Sequence, residues 1–443
     1  WCWPGLSTYL DFLNPATQEF YSGLYTFDKF NGSTENTYIW NDMNEPAVFD
    51  DNKEKTFPKE VLHYGNVKHR DVHNIYGFLQ TKGTYQGLIN RSKNNKRPFI
   101  LSRSHFAGSQ RYTAIWTGDN TADWDHLAAS LPMCLSEALA GISFCGADVG
   151  GFFKEPSEEL IQRWYQVGAW LPFYREHSTF ASKRREPYVF PKHVQTRIRA
   201  ALRQRYIHLP LWYTLFWEHS QTGDPVISPL FYHYPDDPNI LDLDTQLLVG
   251  SNVMVAPVMK SDISLIDVYF PGGKDEKWYD ANTYNIYRGN GYLPINVTLD
   301  SVPVYYRGGS VISRKDTPRP SSVDTYDDDY TLYVFPNSEN CAEGFLYVDD
   351  METFSYQQGE YAYIHLKFDN LILKSRFKYY NIAYQANTKI GRIVYALPSL
   401  GIKSAKIITK GLSKEVPITC GSHYVELSNL KLDIMDSFEV HLQ

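Results

Sequence analysis

The chain has 443 residues, a formal net charge of −7, and 43% hydrophobic and 21% charged residues, a composition typical of globular proteins. Its length predicts two to four domains, and its acidic balance argues against a nucleic-acid partner, which would require a basic face. The sequence contains no apolar run long enough to span a bilayer, so no membrane span is predicted.

The N-terminal residues WCWPGL include no initiator methionine, signal peptide or helix cap. From this start we expect the chain to be a fragment of a longer protein.

Between residue 1 and about residue 223, β-rich runs alternate with helical segments. The predicted strands are TYIWND (37–42), FILSRS (99–104), AIWTGD (114–119), ISFCGAD (142–148) and LPFYRE (171–176). Apolar residues at intervals near 3.6 predict helices over 122–141, with Gly141 at the C-terminal end, and over 156–170, with acidic residues in the first turn. A longer helical stretch, 191–221, is expected to break at Pro210.

Each predicted strand ends in polar or charged residues. These are Asp42, Arg103, Asp119, Asp148, and Arg175 together with His177. Repeated strand–helix units imply a parallel sheet, and polar strand ends are typical of a (β/α)₈ barrel, whose active site is built at that edge. The sequence therefore predicts the C-terminal part of such a barrel, with about three strands expected upstream of Trp1. A doubly wound sheet is the alternative, but no glycine-rich phosphate loop supports it.

After about residue 224 the helical periodicity ends, and short strands alternate with turn signals such as PGG (271–273) and RGGS (307–310). The polar segment 314–330 resembles a linker. We therefore predict an α/β chain with three domains: the barrel portion over 1–223, a proximal β-sandwich over 224–315 and a distal β-sandwich over 316–443.

The five cysteines show no C-x-x-C spacing, which argues against a zinc or redox site. Cys134 and Cys145 lie in apolar contexts and are expected to be small buried hydrophobic residues. The sequence has no HxH or HExxH motif, so neither a metal nor another cofactor is expected.

Asp42 and Asp119 can converge over the mouth of a barrel, although 77 positions separate them in the sequence. Two facing carboxyl groups, one ionised and one protonated, are the minimum machinery for glycoside hydrolysis. Each aspartate alone could equally cap a loop or pair with an arginine. Five consecutive polar strand ends favour the catalytic interpretation.

The triplet NEP offers Glu45 as a rival catalytic residue, because one clan of retaining β-glycosidases uses the glutamate of this triplet as its general acid. That mechanism also needs a nucleophilic glutamate at a later strand end, where this chain offers only Glu176. Strand alternation places Asp42 on the same face as Trp40, whereas Glu45 lies beyond the strand. Both observations favour Asp42; together with the family resemblance given below, they leave Glu45 as the expected anchor of the loop.

Five ordered motifs, IWNDMNEPAVF, LSRSHFAGSQRY, IWTGDNTADWDHL, SFCGADVGGFF and FYREHS, resemble those of glycoside hydrolase family 31. The resemblance implies that Asp42 is the nucleophile and Asp119 the general acid/base, with a carboxyl separation of about 5–5.5 Å for a retaining enzyme. It also implies a set of sugar-binding residues, namely Met43, Arg103, Trp116, Asp148, Phe152 and His177.

The function implied by the resemblance is that of a retaining, exo-acting α-glucosidase that removes terminal α-linked glucose from N-glycans in the lumen of the endoplasmic reticulum. Its implied partners are an oligosaccharide substrate, an N-terminal portion of the same protein as a separate chain, and a regulatory β subunit. Alternatives are a lysosomal-type, starch-degrading or α-xyloside-cleaving member of the family, or an inactive carbohydrate-binding homologue. A metal-dependent barrel hydrolase is disfavoured by the missing ligand motifs.

Overall fold

The computed structural model describes residues 1–49, 55–289, 291–381, 384–399 and 401–443. The N-terminal half contains seven of the described α-helices: α1 (Pro15–Gly23), α2 (His69–Val72), α3 (Tyr76–Arg91), α4 (Trp124–Leu139), α5 (Glu158–Gly168), α6 (Lys192–Ile207) and α7 (Leu209–Thr222). Its strands are β1 (Ile39–Asn41), β2 (Leu62–His63), β3 (Val67–Lys68), β4 (Ile100–Ser102), β5 (Ala114–Trp116), β6 (Cys145–Gly146), β7 (Asp148–Val149) and β8 (Arg175–Glu176).

The predicted parallel strands lie side by side in chain order. Strands β1, β4, β5 and β6 form one parallel sheet in that order, and β7 pairs in parallel with β8. Because β6 and β7 flank Ala147, the two sheets are joined by one continuous segment. Each of the five predicted segments contains a strand, although 142–148 is divided between β6 and β7 and 171–176 is a strand only at Arg175–Glu176. The carboxyl ends of these parallel strands lie at one edge.

Local sequence signals explain where the two predicted helices begin and end. The side chain of Asp123 accepts a hydrogen bond from the backbone N–H of His126 at the start of α4, and Ser157 caps α5 in the same way through Leu160. These caps satisfy backbone donors that have no partner within the helix. Gly141 follows α4 with a φ of 86°, the left-handed conformation typical of a helix end.

Helix α3 was not predicted, because its three glycines weaken the helical signal. The glycines are needed for close packing against α1. A Cβ atom on Gly83 would lie 2.7 Å from the side chain of Gln18, and one on Gly87 would lie 2.7 Å from the carbonyl oxygen of Ser22. Tertiary packing therefore overrides helix propensity here.

The predicted break in the last helical stretch is confirmed. Helix α6 ends at Ile207, and Pro210 lies in the first turn of α7, where its missing N–H costs no hydrogen bond. His208 between the two helices is fully buried and lies 2.7 Å from the hydroxyl of Tyr306 in the following domain. Among the described residues, no helix is long and apolar enough to cross a membrane.

The next region is built mainly from β-strands, with one short helix, α8 (Leu230–His233). Its strands are β9 (Ile227–Ser228), β10 (Leu247–Val249), β11 (Val253–Val255), β12 (Leu265–Phe270), β13 (Lys277–Asp280), β14 (Ile286–Arg288), β15 (Gly291–Asn296) and β16 (Val304–Arg307). Six of these form a sheet in the order β14-β13-β16-β11-β10-β9, and β12 pairs with β15. Residues of both sheets share one apolar core.

The C-terminal region forms one larger network of strands. They are β17 (Ser310–Arg314), β18 (Tyr330–Phe335), β19 (Ala342–Val348), β20 (Ala362–Asp369), β21 (Ile372–Tyr380), β22 (Lys389–Tyr395), β23 (Ala405–Thr409), β24 (Leu412–Val416), β25 (Thr419–Cys420), β26 (Val425–Leu427), β27 (Leu432–Asp433) and β28 (Phe438–Leu442). The order is β24-β23-β28-β21-β20-β19-β17-β18-β22-β26-β25, with β27 beside β22. Buried residues alternate along β20, as expected for a strand with one face on a core.

The segment 314–330 does not link two domains, contrary to the prediction. It is a loop between β17 and β18, which pair antiparallel from Ser310–Phe335 to Arg314–Thr331. Buried Lys315 fixes the loop by donating hydrogen bonds to the carbonyl oxygens of Thr325 and Tyr326. The predicted boundary at residue 315 therefore falls within one sheet.

The interpretation of Cys134 and Cys145 as simple hydrophobic residues was wrong. Both are fully buried, but they form a disulfide that joins α4 to β6. The correction has a geometric reason, since helix α4 packs directly on its following strand and brings the two Cα atoms to 5.4 Å, within the range that a disulfide requires.

Candidate active site

The edge formed by the carboxyl ends of the parallel strands gathers all eight predicted site residues. Three of them follow the strands of the first sheet: Asp42 follows β1, Arg103 follows β4, and Asp119 follows β5. The others lie around them: Met43 beside Asp42, Trp116 at the end of β5, Asp148 at the start of β7, Phe152 in the following turn and His177 after β8. Their individual roles remain predictions; their placement follows from the sheet.

Arg103 binds both rival carboxylates of the first motif. Its guanidinium donates two hydrogen bonds to Glu45, at 2.7 and 3.1 Å, and a third nitrogen lies 3.2 Å from Oδ1 of Asp42. The two oxygens of Glu45 are thus both occupied, as expected for an anchor of the loop. Paired planar contacts of this kind fix geometry as well as charge.

The backbone around these groups is held in a specific shape. Met43 has a φ of 57°, which is uncommon for a residue with a side chain and costs about 1–3 kcal/mol. Its sulfur lies 2.7 Å from a nitrogen of Arg103. Asn44 is buried and joins the ends of β1 and β4, because its amide donates to Ser102 and accepts from the N–H of Ser104, both at 2.9 Å.

Asp119 remains accessible to solvent, but its pKa is raised. Partial removal from water is the largest cause. The negative charges of Asp42 and Glu45 raise the pKa further, while Arg103 and Arg175 act in the opposite direction. The raised pKa of Asp119 favours the protonated carboxyl group, as a general acid requires.

Asp148 is completely buried and its pKa is raised to about 6 by that burial. Oδ1 accepts a hydrogen bond of 2.6 Å from Arg175, which opposes the rise. Oδ2 is buried without a hydrogen-bond partner among the described residues. A buried acceptor of this kind costs free energy unless a bound group supplies a donor.

Aromatic rings form a wall beside the carboxylates. Trp40 meets Trp116 edge-on at 5.6 Å and His177 at 5.2 Å, and His177 lies 5.4 Å from the ring of Phe152. Burial and the charge of Arg175 lower the pKa of His177, so its imidazole is neutral near pH 7 and can both donate and accept hydrogen bonds.

Three further site residues were missed by the sequence reasoning as partners in the site. Trp40 is 44% exposed and supplies the centre of the aromatic wall. Arg175 lies over the rings of Trp40 and Trp116, at 4.8 and 5.2 Å, as well as pairing with Asp148. Asn120 donates to the carbonyl oxygen of Asp148. Their positions in the sequence could have identified them, because each lies within two residues of a predicted site residue.

The described residues include no cluster of three or more histidine, cysteine or acidic groups arranged to hold a metal ion. The described geometry instead offers Asp42 paired with Arg103, Asp119 with a raised pKa, and a wall of aromatic rings. This arrangement suits acid/base and nucleophilic chemistry at a sugar carbon.

The chain is similar in sequence and in structure to known proteins. Residues 1–215 match the family described as "Glycosyl hydrolases family 31 TIM-barrel domain", and residues 223–312 match "Glycosyl hydrolase family 31 C-terminal domain". Neutral alpha-glucosidase AB of Sus scrofa is 49% identical over 359 residues, covering 81% of this chain and 38% of that protein. The predicted fold class, a barrel portion followed by β-rich domains, is confirmed.

Two solved structures are also similar over the whole chain. The glucosidase II alpha subunit in its Glc1Man2-bound form superimposes with a TM-score of 0.96 and 38% identity, covering 100% of this chain and 50% of that one. The ER glucosidase II heterodimeric complex, which contains the binding domain of a regulatory subunit, gives a TM-score of 0.96 and 39% identity with the same coverage. The chain thus spans between 38% and 50% of the length of these relatives.

Proposed function

The chain belongs to glycoside hydrolase family 31, and from this membership we propose that it carries the catalytic carboxylates of a retaining, exo-acting α-glucosidase. The substrate we propose is an N-glycan that ends in α-linked glucose. Support comes from the similar solved structure, whose name includes a bound Glc1Man2 glycan, and from relatives named neutral alpha-glucosidases.

One observation carries the proposal: the two aspartates at the barrel mouth differ in their surroundings. Asp42 lies 3.2 Å from the guanidinium of Arg103 and forms an ion pair with it. Asp119 has a raised pKa. A retaining glycosidase needs this asymmetry, since one group must attack as an anion while the other donates a proton.

In the first step, a carboxylate oxygen of Asp42 attacks C1 of the terminal glucose and the bond from C1 to the glycosidic oxygen breaks. Asp119 gives its proton to that oxygen, so the rest of the glycan leaves as an alcohol. In the second step, the Asp119 carboxylate takes a proton from water as the water oxygen attacks C1. The ester to Asp42 breaks, and glucose leaves with its α configuration retained.

The neighbouring groups orient the sugar in this proposal. Oδ2 of Asp148 and the indole N–H of Trp116 are buried without partners among the described residues, and hydroxyl groups of glucose would satisfy both. The rings of Trp40 and Phe152 offer apolar surfaces to the faces of the sugar. His177 supplies a neutral hydrogen-bonding group between them.

The remaining parts of the proposal concern partners. An N-terminal portion of the protein, as a separate chain, would supply the strands that complete the barrel beside β1. A regulatory β subunit and residence in the endoplasmic reticulum are supported by the similar heterodimeric complex. A division between the barrel portion, 1–223, and the β-rich regions that follow it belongs to the same proposal.

The test is covalent trapping on the enzyme purified from its native source, with all the chains it contains. The enzyme is incubated with a fluorinated α-glucosyl fluoride, digested and analysed by mass spectrometry, alongside an Asp42→Asn variant as a control. We expect one glucosyl adduct on Asp42 and none in the variant.

An adduct on Glu45, or no adduct on wild-type enzyme, would overturn the assignment. A substrate panel completes the test. Hydrolysis of α-glucosides supports the function, whereas hydrolysis of β-glucosides alone contradicts it. A preference for α-xylosides would retain the mechanism and exclude the proposed substrate.

A further inference from the structure

Arg185 is buried and binds the backbone of one turn near the candidate active site. Its side chain is 3% exposed. Its guanidinium donates hydrogen bonds to the carbonyl oxygens of Gly150, at 3.1 Å, of Gly151, and of Lys154, at 2.6 Å. Charge-assisted bonds to three carbonyls hold a backbone more firmly than neutral contacts do.

The turn that Arg185 holds, residues 150–154, has an unusual backbone. Gly150 and Gly151 have φ values of 91° and 83°, and Lys154 has a φ of 65°. A side chain at position 151 would also collide with the chain opposite, since a Cβ atom there would lie 2.4 Å from the backbone nitrogen of Ala122. Such a turn persists only when its surroundings determine its shape.

The same turn is bonded directly to the segment that follows Asp119. Phe153 donates to the carbonyl oxygen of Asn120 at 2.9 Å and accepts from the N–H of Ala122 at 2.8 Å. The N–H of Phe152 donates to the side chain of Asn120 at 2.8 Å. These hydrogen bonds hold the turn against residues 120–122, which directly follow Asp119.

The turn also supports the segment after β8. The carbonyl oxygen of Phe152 accepts a hydrogen bond of 3.0 Å from the N–H of Thr179, and its ring lies 5.4 Å from His177. The turn therefore contacts the segments on both sides of the proposed sugar site. Two carboxylates accompany the guanidinium, Glu155 at 3.7 Å and Glu176 at 4.0 Å.

We propose that Arg185 is a positioning residue, which sets the place of the Asp119 carboxyl group by holding the turn 150–154 against residues 120–122. The inference rests on the proposed function, because it presumes that Asp119 is the general acid. Arg185 acts through backbone carbonyls, and its guanidinium points to the turn. A displacement of about 1 Å at a reacting group can cost roughly 100-fold in rate.

The experiment uses the dependence of rate on the leaving group. Glucosyl fluoride releases fluoride with little need for a proton, whereas a glucose disaccharide requires the general acid. In the complete enzyme, Arg185→Met should lower kcat/KM for the disaccharide by roughly 100-fold, which is within the range of general acid catalysis. The same variant should lower kcat/KM for glucosyl fluoride by less than about 10-fold. Arg185→Lys should recover part of the loss.

Arg163 offers a matched control. It is 1% exposed and donates to the backbone carbonyls of Thr298 and Ser301, at 3.0 and 3.1 Å, away from the strand ends. Arg163→Met therefore removes a buried guanidinium of the same kind. It should keep the wild-type ratio of the two rates, even if it lowers stability.

Equal losses on the two substrates for Arg185→Met would overturn the proposal and leave Arg185 a purely structural role. If that variant does not fold, Arg185→Lys decides: a selective loss on the disaccharide supports the proposal, and an unchanged ratio contradicts it. Asp119→Ala separates the two levels of inference. If Asp119→Ala loses activity selectively on the disaccharide but Arg185→Met does not, only the positioning role of Arg185 is refuted. If Asp119→Ala shows no selective loss on the disaccharide, the assignment of Asp119 as general acid is refuted.

Discussion

Replacing Asp148 with asparagine should make the stability of the protein depend less on pH. Burial raises the pKa of Asp148 from 3.8 to about 6, against the opposing charge of Arg175. Below pH 3.8 the carboxyl group is protonated in both folded and unfolded chains. Between 3.8 and 6 the folded chain retains a proton that the unfolded chain has lost, so stability falls as pH rises through this window.

The magnitude follows from the two pKa values. With about 1.4 kcal/mol for each pH unit, the ionised group costs the folded state about 3 kcal/mol once the pH is well above 6. At pH 5 the same relation gives a cost of about 1.6 kcal/mol. The wild-type protein should therefore lose about 1.4 kcal/mol between pH 5 and pH 8 through Asp148 alone, and Asp148→Asn should not.

The assay is urea unfolding of both proteins at pH 5 and pH 8, followed by tryptophan fluorescence. The free energy of leaving Arg175 without its partner is the same at the two pH values and cancels from the comparison. Ser102→Ala, at another buried strand end, removes a polar group that does not titrate, and it should differ from wild type equally at both pH values. The reasoning fails if Asp148→Asn also shows one constant difference.

Three other changes have defined outcomes. Glu45→Gln removes a charge that raises the pKa of Asp119, so the alkaline limb of kcat/KM should move to lower pH; a move to higher pH would contradict this. Gly146→Ala would place a Cβ atom 1.9 Å from the carbonyl oxygen of Phe173 and should cost at least about 3 kcal/mol in a thermal or urea melt, while Gly23→Ala, with open space around it, should be neutral. Replacing both cysteines of the α4–β6 disulfide with alanine releases a cross-link of sequence separation 11 and should cost about 3 kcal/mol; an unchanged unfolding midpoint would contradict this.

The strands and the edge that they share were predictable because each strand has a local signature. In the run that ends at Asp42, six consecutive residues show both the apolar stretch that predicts a strand and the charged residue that marks its end. The helix that follows Asp123 has its cap and its apolar spacing in the same way. These signals are local, so one sequence suffices to find them.

Other features depend on residues distant in the chain and could not be found in this way. The glycines of α3 argue against a helix when the sequence alone is considered, but they are required for the close packing of α3 against α1. The polar composition of the segment after Arg314 predicted a linker. The pairing that makes it a loop joins Ser310 to Phe335, which are distant in the sequence. The disulfide was hidden for the same reason, since an apolar context does not reveal which cysteine lies opposite.

At the candidate site, the placement of the residues at one edge could be predicted from the sequence, but their electrostatic interactions could not. Glu45 is not simply a loop anchor. Burial is the largest cause of the raised pKa of Asp119; Arg103 acts against it, and the negative charges of Asp42 and Glu45 offset part of the effect of Arg103. Glu45 also accepts two hydrogen bonds from one edge of the Arg103 guanidinium, so Arg103 contacts Asp42 through a single nitrogen at 3.2 Å. A nucleophile needs that freedom, because an oxygen that is fully hydrogen-bonded to an arginine is a poorer attacking group than one with an open lone pair.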